Sequence, residues 1–331
     1  MAGACPVGLA AAVANAGGMG GLGALMTSPG GIAEWAKGFR GQSNGTFQIN
    51  LWVPDPPPVR DPDHERRVRE FLGRWGPPMP PEAGDAAPLE FDKQCEAMLA
   101  AAPRVVSSIM GLFPEEIVAE LKVRGIAWFA CATTLAEARA AEVAGADAIV
   151  AQGFEAGGHR GSFEADAAER QSVGLFALLP RLADKISAPI IATGGIGDAR
   201  GVAAALILGA SAVQIGTGFL RSPEAQVHPA QADALEELEP EATMPARVFS
   251  GRLGRTMITD YVRAATAPDS PPPAPYPVQR GLTAPMREAA TRAGDVQRMQ
   301  AWAGQAAALA RPEPAGEIVR RLWDEAQALL P

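Results

Sequence analysis

Histidine, tyrosine and cysteine are scarce in this chain of 331 residues, which has three His, two Tyr and three Cys. Cys5, Cys95 and Cys131 are odd in number and far apart. They suggest neither a disulfide framework nor a zinc site with close ligand pairs, so no metal is expected. No apolar run reaches the ~18 residues that would cross a bilayer. No basic segment followed by an apolar stretch and a cleavage site opens the sequence, which leaves secretion unsupported and a reducing cytoplasm as the expected location. Acidic residues outnumber basic ones, 37 against 29, for a formal net charge of −8. That balance argues against a surface made to neutralise nucleic-acid phosphates.

What the chain does have is an alternation of short β-rich runs with alanine-rich amphipathic segments from Pro103 to Leu220, the pattern of repeated βα units and a parallel sheet. Strands are expected at 105–110, 126–131, 147–152, 189–193 and 212–216, with helices near 115–123, 135–144, 173–183 and 199–208. The N-terminal part repeats the unit, with a helix at 7–16, a strand near 21–25, a helix near 32–38 and a strand at 46–51. These seven strands predict an α/β fold, a (β/α)8 barrel whose first strand is largely missing, because eight close such a barrel. An open seven-stranded sheet is the alternative.

The length exceeds the ~250 residues of a typical barrel and leaves room for additions. Residues 53–90 carry the clusters Pro56-Pro57-Pro58 and Pro77-Pro78-Met79-Pro80-Pro81 and read as an excursion without a buried strand or long helix. The expected organisation is a barrel over 1–229, a small, mostly helical lid over 230–310 and a C-terminal helix over 311–331 that packs back on the barrel.

Two glycine clusters carry the first chemical signal. Gly194-Gly195 and Gly216-Thr217 follow the last two strands, where barrels commonly hold a phosphate. Glycine lets the backbone approach closely, and amides at a helix start suit a dianion. The second signal is QGFEAGGHRG, 152–161, after the strand 147–152. His159 sits there on a loop at the catalytic end of a barrel strand, and imidazole exchanges protons near neutral pH, which suits a general base. Gln152 can bond a polar ligand edge or merely tie the loop, and Glu155 can orient a neighbour. Arg160, Arg252 and Arg255 are candidates for stabilising an anion.

With these stretches, and with MAGACPVGLAAAVANAGGMGGLGA, FQINL around Asn50, ATGGIGDARGVAAALILGASAVQIGT, SGRLGR and WAGQ in order along the chain, the sequence resembles the nitronate monooxygenase family. The resemblance implies bound FMN, touched by Asn50, Gln152, Gly157 and Gly195, with Gln214, Ile215, Gly216 and Thr217 around its phosphate end. It implies that the opening Met1-Ala2-Gly3 follows a strand and lies under the flavin, and that His159 is the catalytic base. The expected substrates are a nitronate or nitroalkane and dioxygen, giving a carbonyl compound and nitrite without a nicotinamide. The family's substrate-lining tyrosines and lysine of one subgroup have no evident counterparts among Tyr261 and Tyr276. Two alternatives stand beside this reading. One is an FMN-dependent NAD(P)H reductase of enoyl thioesters or quinones, disfavoured by Gln152 where such enoyl reductases carry an acid; the other is a non-catalytic barrel that binds a phosphate ligand. Oligomeric state is open between monomer and dimer.

Overall fold

The computed structural model describes residues 3–85 and 88–331. Its strands, in chain order, are β1 (Gly20–Gly23), β2 (Phe47–Trp52), β3 (Val105–Ile109), β4 (Ala127–Ala132), β5 (Ala148–Gln152), β6 (Gly158–His159), β7 (Ile190–Thr193), β8 (Ala212–Gln214), β9 (Thr243–Ala246) and β10 (Gly254–Met257). Seven form one sheet, in the order β1-β2-β3-β4-β5-β7-β8, every pairing parallel. Helices cover its outer side. β5 is buried throughout, as its apolar run Ala148 to Ala151 requires, and full burial of side chains such as Ile49 or Leu182 contributes about 1.5–3 kcal/mol each.

Several helices start where a side chain accepts a free amide. Ser28 accepts from Gly31 N–H ahead of Pro29–Arg40, Thr134 from Glu137 N–H ahead of Leu135–Val143, and Asp198 from Gly201 N–H ahead of Ala199–Ile207. The sheet remains open at one seam, where β1 and β8 are its two edges. Across that seam Gln48 Nε2 donates to Gln214 Oε1 at 3.3 Å, and Ala212 and Gln214 are exposed. The helix Ala315–Gln327 lies against Val7–Asn15 and Ala199–Ile207, burying Ile318, Leu322 and Ala326.

Three expectations need correction. The proline-rich excursion contains an eleven-residue helix, Pro62–Leu72. Its prolines bracket DHERRVREFL rather than interrupt it, Pro62 stands at the first helical position where no N–H is lost, and Asp61 accepts from the amides of Asp63 and His64. Val68, Phe71 and Leu72 then pack with Val248, Phe249, Tyr261, Val262 and Met286, so the excursion and the later segment share one apolar cluster. That later segment is less helical than expected. β9, β10 and β6 form a three-stranded antiparallel sheet, and its helices Asp260–Ala265, Val278–Leu282 and Ala284–Ala293 are short. The helix Phe91–Ala100 was not foreseen; it buries Cys95, Met98 and Leu99, and Gln94 Nε2 donates to the carbonyls of Ala24 and Thr27 at 2.9 Å. Among the described residues no helix is long and apolar enough to cross a membrane.

Candidate active site

One cavity of about 2010 Å³ opens at the carboxyl ends of the parallel strands and runs down to the seam between β1 and β8. Its wall brings together Gly3, Asn50, Gln152, Gly157, His159, Gly194, Gly195, Gln214, Ile215, Gly216 and Thr217. Of the residues expected at a cofactor, Met1 alone lies outside the described residues.

The two glycine clusters face this cavity from neighbouring strands, β7 and β8. Gly194 and Gly195 have φ of +107° and +71°, a backbone shape that a side chain would strain. The amides of Gly194 to Gly197 and of Ile215 to Gly218 donate to no protein group among the described residues. Two runs of unengaged N–H groups beside each other are the donor set a phosphate dianion needs. Thr217 Oγ1 accepts from Gly304 N–H at 3.1 Å, which ties the second run to the WAGQ segment.

His159 stands in the two-residue strand β6, opposite Gly254 of β10. This pairing, invisible in a loop of glycines, fixes its backbone. Gln152 closes the loop from inside: Nε2 donates to His159 O at 3.0 Å, and Oε1 accepts from Gly161 N–H at 2.8 Å. Glu155 accepts from Leu175 N–H at 3.0 Å, placing a carboxylate at the start of the helix Leu175–Ala183. The imidazole is gripped by two indoles. Trp52 meets it edge-on with centroids 4.8 Å apart and stacks on Tyr276 at 4.8 Å, while Trp302 lies 5.0 Å away. Nε2 is 2.8 Å from Ser250 Oγ. Burial, and then the cations of Arg280 and Arg252, push the imidazole down from its ordinary 6.5 to about 3, so it is neutral at pH 7.

The three arginines singled out for an anion do not line the cavity. Arg160 donates to the carbonyls of Gln152, Thr133 and Gln171, Arg255 to Phe154 O and Thr243, and Arg252 pairs with Asp55. A buried guanidinium needs such acceptors, and the loops supply them before any ligand does. Arg280 and Arg287 line the cavity instead. Arg287 donates only to the neutral oxygens of Thr283, Gln300 and Arg280, and neither arginine has a carboxylate partner among the described residues. Their signal in the sequence was weak, two charges on two short helices, Val278–Leu282 and Ala284–Ala293, in a region without a motif. Trp52 and Tyr276 carried no signal either, whereas Ser250 and Trp302 open the stretches SGRLGR and WAGQ and reach the imidazole from there. Cys131 lines the wall, its thiol pushed by burial up to about 12, so it stays protonated.

Comparison with known proteins identifies the family. The family model described as nitronate monooxygenase matches residues 1–325. A nitronate monooxygenase of Paraburkholderia phytofirmans is 39% identical, covering 98% of this chain and 90% of its own. The solved nitroalkane oxidase of Streptomyces ansochromogenes superposes with a TM-score of 0.90 at 34% identity, covering 98% of this chain and 93% of its own. FabK from Thermotoga maritima gives a TM-score of 0.76 at 26% identity, covering 99% and 91%. The family match over residues 1–325, the 39% identity to a nitronate monooxygenase and the superposition of the curled parallel α/β sheet on the nitroalkane oxidase place this chain in the nitronate monooxygenase family of flavin-dependent oxidoreductases.

Proposed function

We propose that this enzyme is an FMN-dependent nitronate monooxygenase that oxidises alkyl nitronates, and nitroalkanes after deprotonation, with dioxygen to carbonyl compounds and nitrite. The observation that carries this reading is an imidazole clamped by Trp52, Trp302 and Ser250 that shares one cavity with two runs of free backbone amides. The amide donor set fits the flavin phosphate, and the cavity has room for the rest of the cofactor beside a substrate. Gly194, Gly195, Gln214, Ile215, Gly216 and Thr217 hold the phosphate end, and Gly3, Asn50, Gln152 and Gly157 border the ring system. When bound, FMN supplies the electron transfer between nitronate and dioxygen.

The protein's own part is acid–base and electrostatic. His159 removes the proton α to the nitro group; the C–H bonding pair moves into the nitro group and leaves a nitronate anion. Burial and the nearby cations of Arg280 and Arg252 keep the imidazole unprotonated at neutral pH, so its ring nitrogen is free to accept, while they lower its basicity. Arg280 and Arg287 supply positive potential for the anion formed or admitted. Trp52, backed by Tyr276, and Trp302 wall the imidazole with apolar surface that excludes water.

The likeness to FabK keeps a second reading in view, reduction of an enoyl thioester or quinone by NAD(P)H. Anaerobic addition of a nitronate should bleach the flavin absorbance, whereas NADH should leave it, and nitrite should accumulate in air. Rapid bleaching by NADH with no nitrite would transfer the chain to the reductase reading.

A further inference from the structure

We propose that Ser250 is a positioning residue that holds His159 in the tautomer protonated on Nε2, leaving the Nδ1 lone pair as the proton acceptor. This deepens the reading of His159 as the base and rests on it.

A serine hydroxyl has one proton to give and two lone pairs to fill. Three groups lie within reach of Ser250 Oγ: His159 Nε2 at 2.8 Å, the Arg252 carbonyl at 3.2 Å and the Arg252 amide at 3.3 Å. The carbonyl can only accept and the amide can only donate. Ser250 therefore satisfies both only by giving its proton to Arg252 O and taking the Arg252 N–H on one lone pair. The second lone pair then receives His159 Nε2–H. The opposite arrangement, with the hydroxyl proton on Nε2, would strip the Arg252 carbonyl of its only hydrogen-bond donor among the described residues. Ser250 and Arg252 are both buried, so water is not a ready substitute. Nδ1 makes no hydrogen bond among the described residues, and it is not one of the fully enclosed polar atoms left without a partner, so it is open to a ligand in the cavity that His159 lines.

The surroundings keep this hydroxyl from rotating into other bonds. Gly251, at φ +90°, turns the chain between Ser250 and Arg252, and a Cβ there would collide with the backbone of Ala274, Pro275 and Tyr276. The Arg252 guanidinium is anchored by Asp55 at 2.8 and 2.9 Å and by Ser162 O at 3.2 Å. The ring that receives the bond cannot swing away either, because Trp52 and Trp302 pack on it. Ser250 thus acts through His159 and touches no reacting atom.

The test is nitrogen NMR of histidine-labelled, FMN-loaded protein at pH 7, with the His159 signals identified by their loss in His159→Asn. The expected result is a pyrrole-type signal at Nε2 and a pyridine-type signal at Nδ1. In Ser250→Ala the two signals should move toward each other as both tautomers populate, and turnover of a neutral nitroalkane should fall roughly tenfold or more while FMN affinity is unchanged. Ser250→Thr, which keeps the hydroxyl, should retain the wild-type signals. A proton found on Nδ1 in the wild type, or signals unchanged in Ser250→Ala, would overturn the proposal. Should Ser250→Ala fail to fold, the wild-type spectrum alone decides. If His159→Asn proves fully active, the base assignment fails, yet the spectra still report on Ser250.

Discussion

Asp55 and Arg252, 197 positions apart in sequence, form a two-pronged ion pair with N–O distances of 2.8 and 2.9 Å. It fastens the proline-rich excursion to the turn that carries Ser250. The side chain of Arg252 is 2% exposed and that of Asp55 19%. Burial raises the carboxyl of Asp55 in spite of the adjacent guanidinium, and burial lowers Arg252, so desolvation offsets much of the attraction. Removing one partner strands the other. Asp55→Asn should lower unfolding stability by about 3 kcal/mol in urea titrations, and joint replacement by Leu at 55 and Met at 252 should cost less than that single change. A single variant as stable as the parent would show that the pair is not what secures the turn.

The pH dependence follows from His159. Its folded-state value, about 3, lies below the ordinary 6.5. On acidification the unfolded chain therefore binds the proton first, and this group's influence on stability is absent above pH 6.5 and increasingly unfavourable from 6.5 toward 3, by at most about 1.4 kcal/mol per pH unit. His159→Gln should flatten the acid side of the stability curve over that interval. In the parent enzyme, kcat/KM for a preformed nitronate should show no inflection near 6.5 that belongs to this group. An inflection there that vanishes in the variant would mean the imidazole is ordinary.

Arg280 lines the cavity and its cation acts both on a bound anion and on the His159 imidazole. Arg280→Gln should raise KM for a nitronate anion roughly tenfold with little change in kcat, the signature of binding shared by ground and transition states. It should also shift His159 upward, because a neighbouring cation has gone. Steady-state kinetics in low and high salt check both points; an unchanged KM removes Arg280 from the anion's surroundings.

At the phosphate end, Gly195→Val sets a branched side chain at φ +71° and brings its Cβ to 3.2 Å from Glu155 Cβ. Backbone strain of about 1–3 kcal/mol should loosen FMN about tenfold or more in a fluorescence titration, with the apo-protein still folded. Unaltered FMN affinity would mean that the turn after β7 does not bear on the cofactor.

The barrel was legible because parallel strands buried on both faces leave uninterrupted apolar runs, as from Ala148 to Ala151, and because the turns after β7 and β8 announce themselves in glycine. His159 stood out through rarity. What escaped were features made by contacts distant in sequence. β6 exists only because β10 runs beside it, and no periodicity can be read in two residues. Trp52 gave no sign of being anything but the end of a core strand until its ring was seen against His159. Arginine is charged wherever it occurs, so sequence alone could not separate Arg160 and Arg252, used up on carbonyls and Asp55, from Arg280, which faces the cavity.

The most direct measurement compares His159→Asn with the parent on a neutral nitroalkane and on its preformed nitronate, recording nitrite release in air. Turnover of the neutral compound should fall by about a hundredfold or more while nitronate oxidation stays within a few-fold, since only the first needs a base. Equal loss on both substrates, or none on either, would contradict the role assigned to this imidazole.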